Sequence, residues 1–417
     1  MDKALRFGSK AGLGRISALL SSIGNPQDKL KYVHIAGTNG KGSTSAMLAS
    51  VLKYAGYKTG LYISPYVEDF LERIQLDGAK ITEEDFSFHL SRLVPHIEKL
   101  CGAGLEPLNQ FEIITAVAFD YFACKGCDFV SLEVGLGGRF DATNVIKAPE
   151  AAVICSLSED HTEYLGDTLE QIAAEKCGII KEGSDVLAYA NNPLTAQRII
   201  NEACLEKKAC LTVPDTTKLT VLSRDISGSK IRYGSLEVFV PLAGEHQILN
   251  ALSVIEAGRA LRKRGFCITD GNIADGIRET KFPARLETVR QEPLCVIDGA
   301  HNRGGITALS SEIDCLFSGK RLISVMGMLK DKEYAFCIPQ IAMRSDVFIA
   351  TSPETPRALE AGSAASIAEK HCQNVYRVPE INDAVALALS KAKNDDVILV
   401  CGSLYMLGQA KRKLMEK

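Results

Sequence analysis

The chain has 417 residues, 46% of them hydrophobic and 24% charged, with a formal net charge of −3 and an isoelectric point near 6.2. This is the composition of a globular protein of about two or three domains, and its charge balance gives no electrostatic ground for a nucleic-acid or membrane partner. No apolar run approaches the ~18 residues of a membrane span, the N-terminus lacks the apolar core of a secretory signal, and 13 scattered cysteines point to a reducing cytoplasm.

In chain order, YVHIAG (32–37) reads as a buried strand and STSAMLASVLKYAG (43–56) as the helix after it, closed by Gly56. FEIITAVAFDYFACKG (111–126) is a second apolar helix; the C-x-x-C pair Cys124 and Cys127 has no partner pair for zinc and marks its end. DFVSLEV (128–134) and AAVICS (151–156) are further buried strands, and alternation of strand and helix implies a mostly parallel sheet. Residues 209–241 differ: short alternating runs around Ser227–Gly228–Ser229 predict a small antiparallel patch. A second α/β series comes after KFPARLETV (281–289), with strands at 294–299, 321–327, 346–350 and 396–402. The expected fold is therefore two α/β domains: a P-loop NTPase-like domain over 1–283, a connection over 284–292, and a Rossmann-like open sheet over 293–417.

Between the first strand and helix lies Gly37-Thr38-Asn39-Gly40-Lys41-Gly42-Ser43, whose spacing departs from the G-x-x-x-x-G-K-[ST] form. A glycine-rich turn at a helix N-terminus presents unpaired N–H groups and the positive end of the dipole to an anion. Lys41 adds charge for the β- and γ-phosphates of a nucleotide, and Ser43 offers a hydroxyl to Mg²⁺. Magnesium wants oxygen ligands at neighbouring strand ends. Glu133 ends one strand, where it either serves the metal or pairs with Arg139; Asp160 and His161 come after another, His161 being either structural or a ligand. In the second domain Asp298 and His301 stand just past a strand's carboxyl end, and Arg285 lies on the connection. Two such polar strand ends on two domains suggest a cleft that closes on two substrates.

Taken together these stretches resemble the folylpolyglutamate synthase/dihydrofolate synthase family of the Mur ligase superfamily. GNPQDKLKYVHIAGTNGKGS, YISPYVEDFLERIQLDG, EVGLGGRFDATN, EDHTEYLG, IAAEKCGIIK, GEHQILNA, FPARLE, DGAHN and GSLYMLG succeed one another in that family's order and span nearly the whole chain. The resemblance implies that the short loop is a different class of P-loop. It implies Ser43, Glu133 and His161 as Mg²⁺ ligands, Asn250, Arg285, Asp298 and His301 as ATP-site or catalytic residues, and Lys176 as a lysine that the family carbamylates. A monovalent cation is a further cofactor it allows. SPYVEDFLERI (64–74) matches a loop near the folate site and GSLYMLG (402–408) a segment on the glutamate side. Tyr66, Arg303, Cys177 and Ala284 depart from common family residues without removing a group the chemistry needs.

The implied reaction is amide formation: ATP phosphorylates a pterin or folate carboxylate, and the amine of L-glutamate expels phosphate from the acyl phosphate. No protein nucleophile is required, and no G-x-S-x-G motif is present. The implied protein is a cytoplasmic monomer acting on small molecules. One alternative is a Mur-type ligase with a different carboxylate substrate, disfavoured because little chain precedes Lys41 for a UDP-binding domain. The other is a nucleotide-regulated binding module, for which no N-K-x-D guanine motif is found.

Overall fold

The structure, a computed structural model, describes residues 12–160 and 165–416; His161 lies outside them. The first unit is built on a sheet of β1 (Lys31–Ala36), β2 (Thr59–Tyr62), β3 (Ile74–Leu76), β4 (Ala79–Lys80), β5 (Phe129–Glu133), β6 (Ala151–Ile154), β7 (Asp185–Ala188) and β8 (Cys210–Thr212). Their order is β4-β3-β2-β5-β1-β6-β7-β8, parallel from β2 to β8 and antiparallel only where β3 joins β2 and β4. Side chains alternate across β1. Val33 and Ile35 join a core with Met47, Leu48, Ile248 and Ile273, while Tyr32 packs on the other face with Leu19, Val117 and Phe119. Both faces are covered by helices, which is why β1 reads as a continuous apolar run.

The stretch 209–241 is not one antiparallel patch. Cys210–Thr212 is reached through a crossover helix, Leu194–Glu206, and so joins the main sheet in parallel as β8. Only β9 (Leu219–Asp225), β10 (Gly228–Tyr233) and β11 (Leu236–Val240) form the antiparallel sheet. Its first turn is centred on Ile226 and Ser227, before the expected glycine. The Asp225 carboxylate accepts the Ser227 N–H at 2.7 Å and the Ser227 hydroxyl at 2.5 Å, which closes the reversal early.

The second unit contains β12 (Glu287–Gln291), β13 (Leu294–Ile297), β14 (Leu322–Met326), β15 (Val347–Ala350), β16 (Val375–Arg377) and β17 (Val397–Cys401). The order is β12-β13-β17-β14-β15-β16, all parallel but for the β12–β13 pair. The four runs expected here are β13, β14, β15 and β17. β12 occupies the stretch expected as a connection; its half-buried ETVRQ sequence carries too much charge to read as a strand.

The sheets position the site. β1 lies between β5 and β6, with Ile35 opposite Glu133 and Ala36 opposite Ile154, so the segments leaving β5 and β6 flank the turn after β1. In the second sheet β13 lies beside β17, so the carboxyl ends of those two strands emerge together. The C-x-x-C pair ends its helix as expected: Cys124 is the exposed last residue of Gln110–Cys124, Cys127 is buried, and all 13 cysteines are free. Among the described residues no helix is long and apolar enough to cross a membrane.

Candidate active site

The short loop is explained by what touches it. A Cβ on Gly37 would lie 2.6 Å from the Cβ of Cys155, and one on Gly40, where φ is +84°, would lie 2.6 Å from Asn250 Oδ1. Gly37 thus presses the loop onto the end of β6, and Gly40 starts the helix Lys41–Tyr54 at once. The amides of Thr38 and Asn39 both donate to Ser156 O, at 2.8 and 3.2 Å. The N–H groups at the start of the helix, of Lys41, Gly42 and Ser43, are the ones a helix cannot satisfy internally. Lys41 Nζ donates to Gly37 O (3.0 Å) and Thr38 O (3.2 Å). Ser43 is buried, and its hydroxyl has no hydrogen-bond partner among the described residues.

Glu133 ends β5 and is 3% exposed. Its Oε2 accepts the Ser64 N–H at 3.2 Å. Burial pushes its carboxyl up to about 7, opposed by the charge of Lys41, the Ser64 N–H, Arg285 and Arg73. Arg139 pairs with Glu175 at 3.4 Å, so the simple Glu133–Arg139 ion pair is not formed. Lys176, the last residue of the helix Leu169–Lys176, is 4% exposed and donates to Gly37 O at 3.0 Å, sharing that carbonyl with Lys41. Burial, then the Lys41 charge, pulls its ammonium down to about 7.

Across the cleft, Asp298 comes directly after β13. Its two oxygens accept the Leu286 and Ala300 N–H groups, both at 2.8 Å. The first of these bonds helps hold Ala284 (φ +56°) and Leu286 (φ +45°) in the left-handed region, a strain on the order of 1–3 kcal/mol each. The strained pair presents Arg285, whose guanidinium sits 5.1 Å from the Phe282 ring centre and feels the charges of Asp298 and Glu133. His301 Nδ1 bonds Gly299 O at 2.8 Å, which fixes the proton on Nδ1 and leaves Nε2 its lone pair. Burial, then the charge of Lys332, lowers His301 to about 4, so it is neutral at pH 7.

Gly42, Glu133, Phe282, Arg285 and Leu404 line one cavity of about 60 Å³ with the loop Ile63–Pro65. The structure therefore brings together the loop, Ser43, Glu133, Lys176 and Arg285. Asn250 supports the loop from beneath Gly40, and its amide donates to Gln247 Oε1 at 3.1 Å. Asp298 and His301 belong to the facing strand end, which touches the loop through Asn302: its Nδ2 donates to Asn39 Oδ1 at 3.1 Å. Read from sequence alone, Asn302, Lys332 and Arg73 have no role. Arg73 stacks on Tyr66 and Phe70, at 5.5 and 5.7 Å, and its buried Nε has no partner among the described residues. Two aromatic residues just before an arginine were the available signal. Away from the cleft, His89, Asp120 and Cys124 gather three potential metal donors, but Arg92 already bonds Asp120 at 3.2 Å and Cys124 at 3.3 Å.

The Mur ligase middle domain model matches residues 35–258, and the Mur ligase glutamate ligase domain model matches residues 284–404. The dihydrofolate synthase/folylpolyglutamate synthase of Bacillus subtilis is 35% identical over 98% of this chain and 96% of its own length. That of Escherichia coli is 32% identical over 94% of this chain and 89% of its own. Among solved structures, Mycobacterium tuberculosis folylpolyglutamate synthase complexed with ADP and AMPPCP superposes with a TM-score of 0.89 at 29% identity, covering 98% of this chain and 96% of that one. Escherichia coli FolC in complex with DHPP and ADP gives 0.87 at 28%, covering 99% and 95%.

Proposed function

Because this chain belongs to the dihydrofolate synthase/folylpolyglutamate synthase family of Mur ligases, we propose that its cleft joins L-glutamate to the carboxylate of a folate, a dihydropteroate, or both, with ATP as the activating substrate. The observation that carries this reading is the meeting of a phosphate-binding loop with the strand end of a second domain, joined at Asn39–Asn302.

The acceptor carboxylate takes the γ-phosphoryl group of ATP, and the glutamate amine then attacks the acyl phosphate and expels phosphate. Lys41 and the helix N-terminus neutralise phosphate charge, and Arg285 adds a second cation at the cleft. His301, neutral with a lone pair on Nε2, is equipped to accept the proton that the amine must lose. Among the described residues the donors fit Mg²⁺: a buried hydroxyl without a partner on Ser43 and a buried carboxylate on Glu133; the family resemblance adds His161, outside the described residues, as a third ligand. When bound, the metal would add charge neutralisation at the phosphates.

Carbamylation of Lys176 belongs to the same reading. Carbon dioxide adds to a neutral amine, and an ammonium lowered to about 7 is neutral in a large share of molecules near physiological pH. Free cysteines throughout fit a reducing cytoplasm, and both halves of the cleft come from one chain, as a monomer requires. Positional labelling tests the reaction. With ¹⁸O in the acceptor carboxylate, one labelled oxygen should appear in the released phosphate and none should come from glutamate; label in AMP would replace this mechanism with adenylation.

A further inference from the structure

Resting on that reading, we propose that Lys332 is a positioning residue for the ligase reaction: with Asn302 it clasps Asp160 across the cleft and holds the two domains in the closed, reactive arrangement. Lys332 lies in the segment after β14, and its Nζ donates to Asp160 Oδ1 at 2.8 Å. The other oxygen, Oδ2, accepts from Asn302 Nδ2 at 2.7 Å. The two charged side chains are 7% and 10% exposed, so this is a buried pair and not a surface one. Asn302 uses its Oδ1 to cap the helix Arg303–Leu316 through Gly305 N at 2.8 Å, and its Nδ2 reaches Asp160 and Asn39. The first domain answers with its own tie: Thr38 Oγ1 donates to Ser158 O at 2.9 Å and accepts from Ser158 N at 3.1 Å. Ser158 stands two residues before Asp160, so whatever grips Asp160 also grips the phosphate loop.

The cleft draws on both domains: Gly42 and Glu133 from the first and Leu404 from the second line one cavity with Arg285, so relative movement of the domains would open or shut it. A buried ion pair suits such a joint. Its attraction roughly offsets its desolvation, so parting the partners into water is nearly balanced, whereas losing one partner leaves a buried charge that opposes closure. Lys332 therefore makes closure reversible and dependent on both partners.

The test uses the full chain with Lys332→Met, Asp160→Asn, the double variant and Lys332→Arg. In Lys332→Met, thermal melting should stay near wild type and the KM for ATP within about threefold, while kcat falls by more than about tenfold. The double variant should be no slower than either single one, because both remove one interaction, and Lys332→Arg should recover part of kcat. Small-angle scattering with ADP should show a larger radius of gyration for Lys332→Met than for wild type. Unchanged kcat, additive losses, or a loss of ATP affinity with unchanged scattering would each overturn the clasp. If wild type itself formed no amide, the proposed function would fall, and the scattering comparison would still decide the clasp.

Discussion

Glu133 keeps one hydrogen bond and three cations for company, yet burial outweighs them. With an ordinary value of 4.5 unfolded and about 7 folded, it ionises first in the unfolded chain as pH rises. Metal-free stability should therefore fall between about pH 4.5 and 7, by on the order of 3 kcal/mol, and change little from this group above that. Glu133→Gln removes the dependence: without metal the variant should melt higher than wild type at pH 8 and equally near pH 4. With Mg²⁺ the order of merit reverses, because the variant should need more metal and lose most of kcat. Identical magnesium titrations would make Glu133 a structural residue. Lys176 yields to a different measurement. In ¹³C-bicarbonate the wild-type protein should show a carbamate resonance that Lys176→Ala lacks, and the variant should lose turnover; a spectrum without that resonance would leave Lys176 as a plain hydrogen-bond donor to Gly37.

Three strands decide where the chemistry gathers. The β5-β1-β6 order places Glu133 on one side of the loop and the segment to Asp160 on the other. Lys176 arrives on a helix of its own, Leu169–Lys176, whose N-cap Thr168 accepts the Gln171 N–H at 3.3 Å. Thr168→Ala should lower stability by about 1 kcal/mol, seen as a modest fall in melting temperature. Because Gly37 O holds the Lys176 amine at the other end of that helix, kcat should stay within about twofold of wild type. A large loss of turnover with unchanged melting would mean the cap acts on the site directly.

At the scale of the whole molecule the cleft is shared. Residues 1–283 carry the loop, Glu133 and Lys176; Arg285, Asp298, His301 and Lys332 lie beyond them. The fragment 1–283 should bind ADP and form no amide, as measured by glutamate incorporation with each pterin in turn. Amide formation by the fragment would reduce the second domain to a bystander.

What the sequence determined by itself was local. A β-branched run leading into glycines, Lys41 and a helix points to an anion site from sequence alone, because the unpaired amides at a helix start come from backbone geometry. The motif order identified the family, and the apolar runs located most strands. The sequence left Glu133 between a metal and Arg139; only the fold could show Arg139 turned to Glu175. It missed β12 because a half-buried, charged edge strand has no apolar period to detect. Gly37 and Gly40 are legible as turn residues, but that they press on Cys155 and Asn250, 118 and 210 positions away, is a matter of packing. The clasp is the clearest case: Asp160 reads as part of a polar strand end and Lys332 carries no sequence signal, the two being 172 residues apart, and only the approach of one sheet's end to the other buries them together.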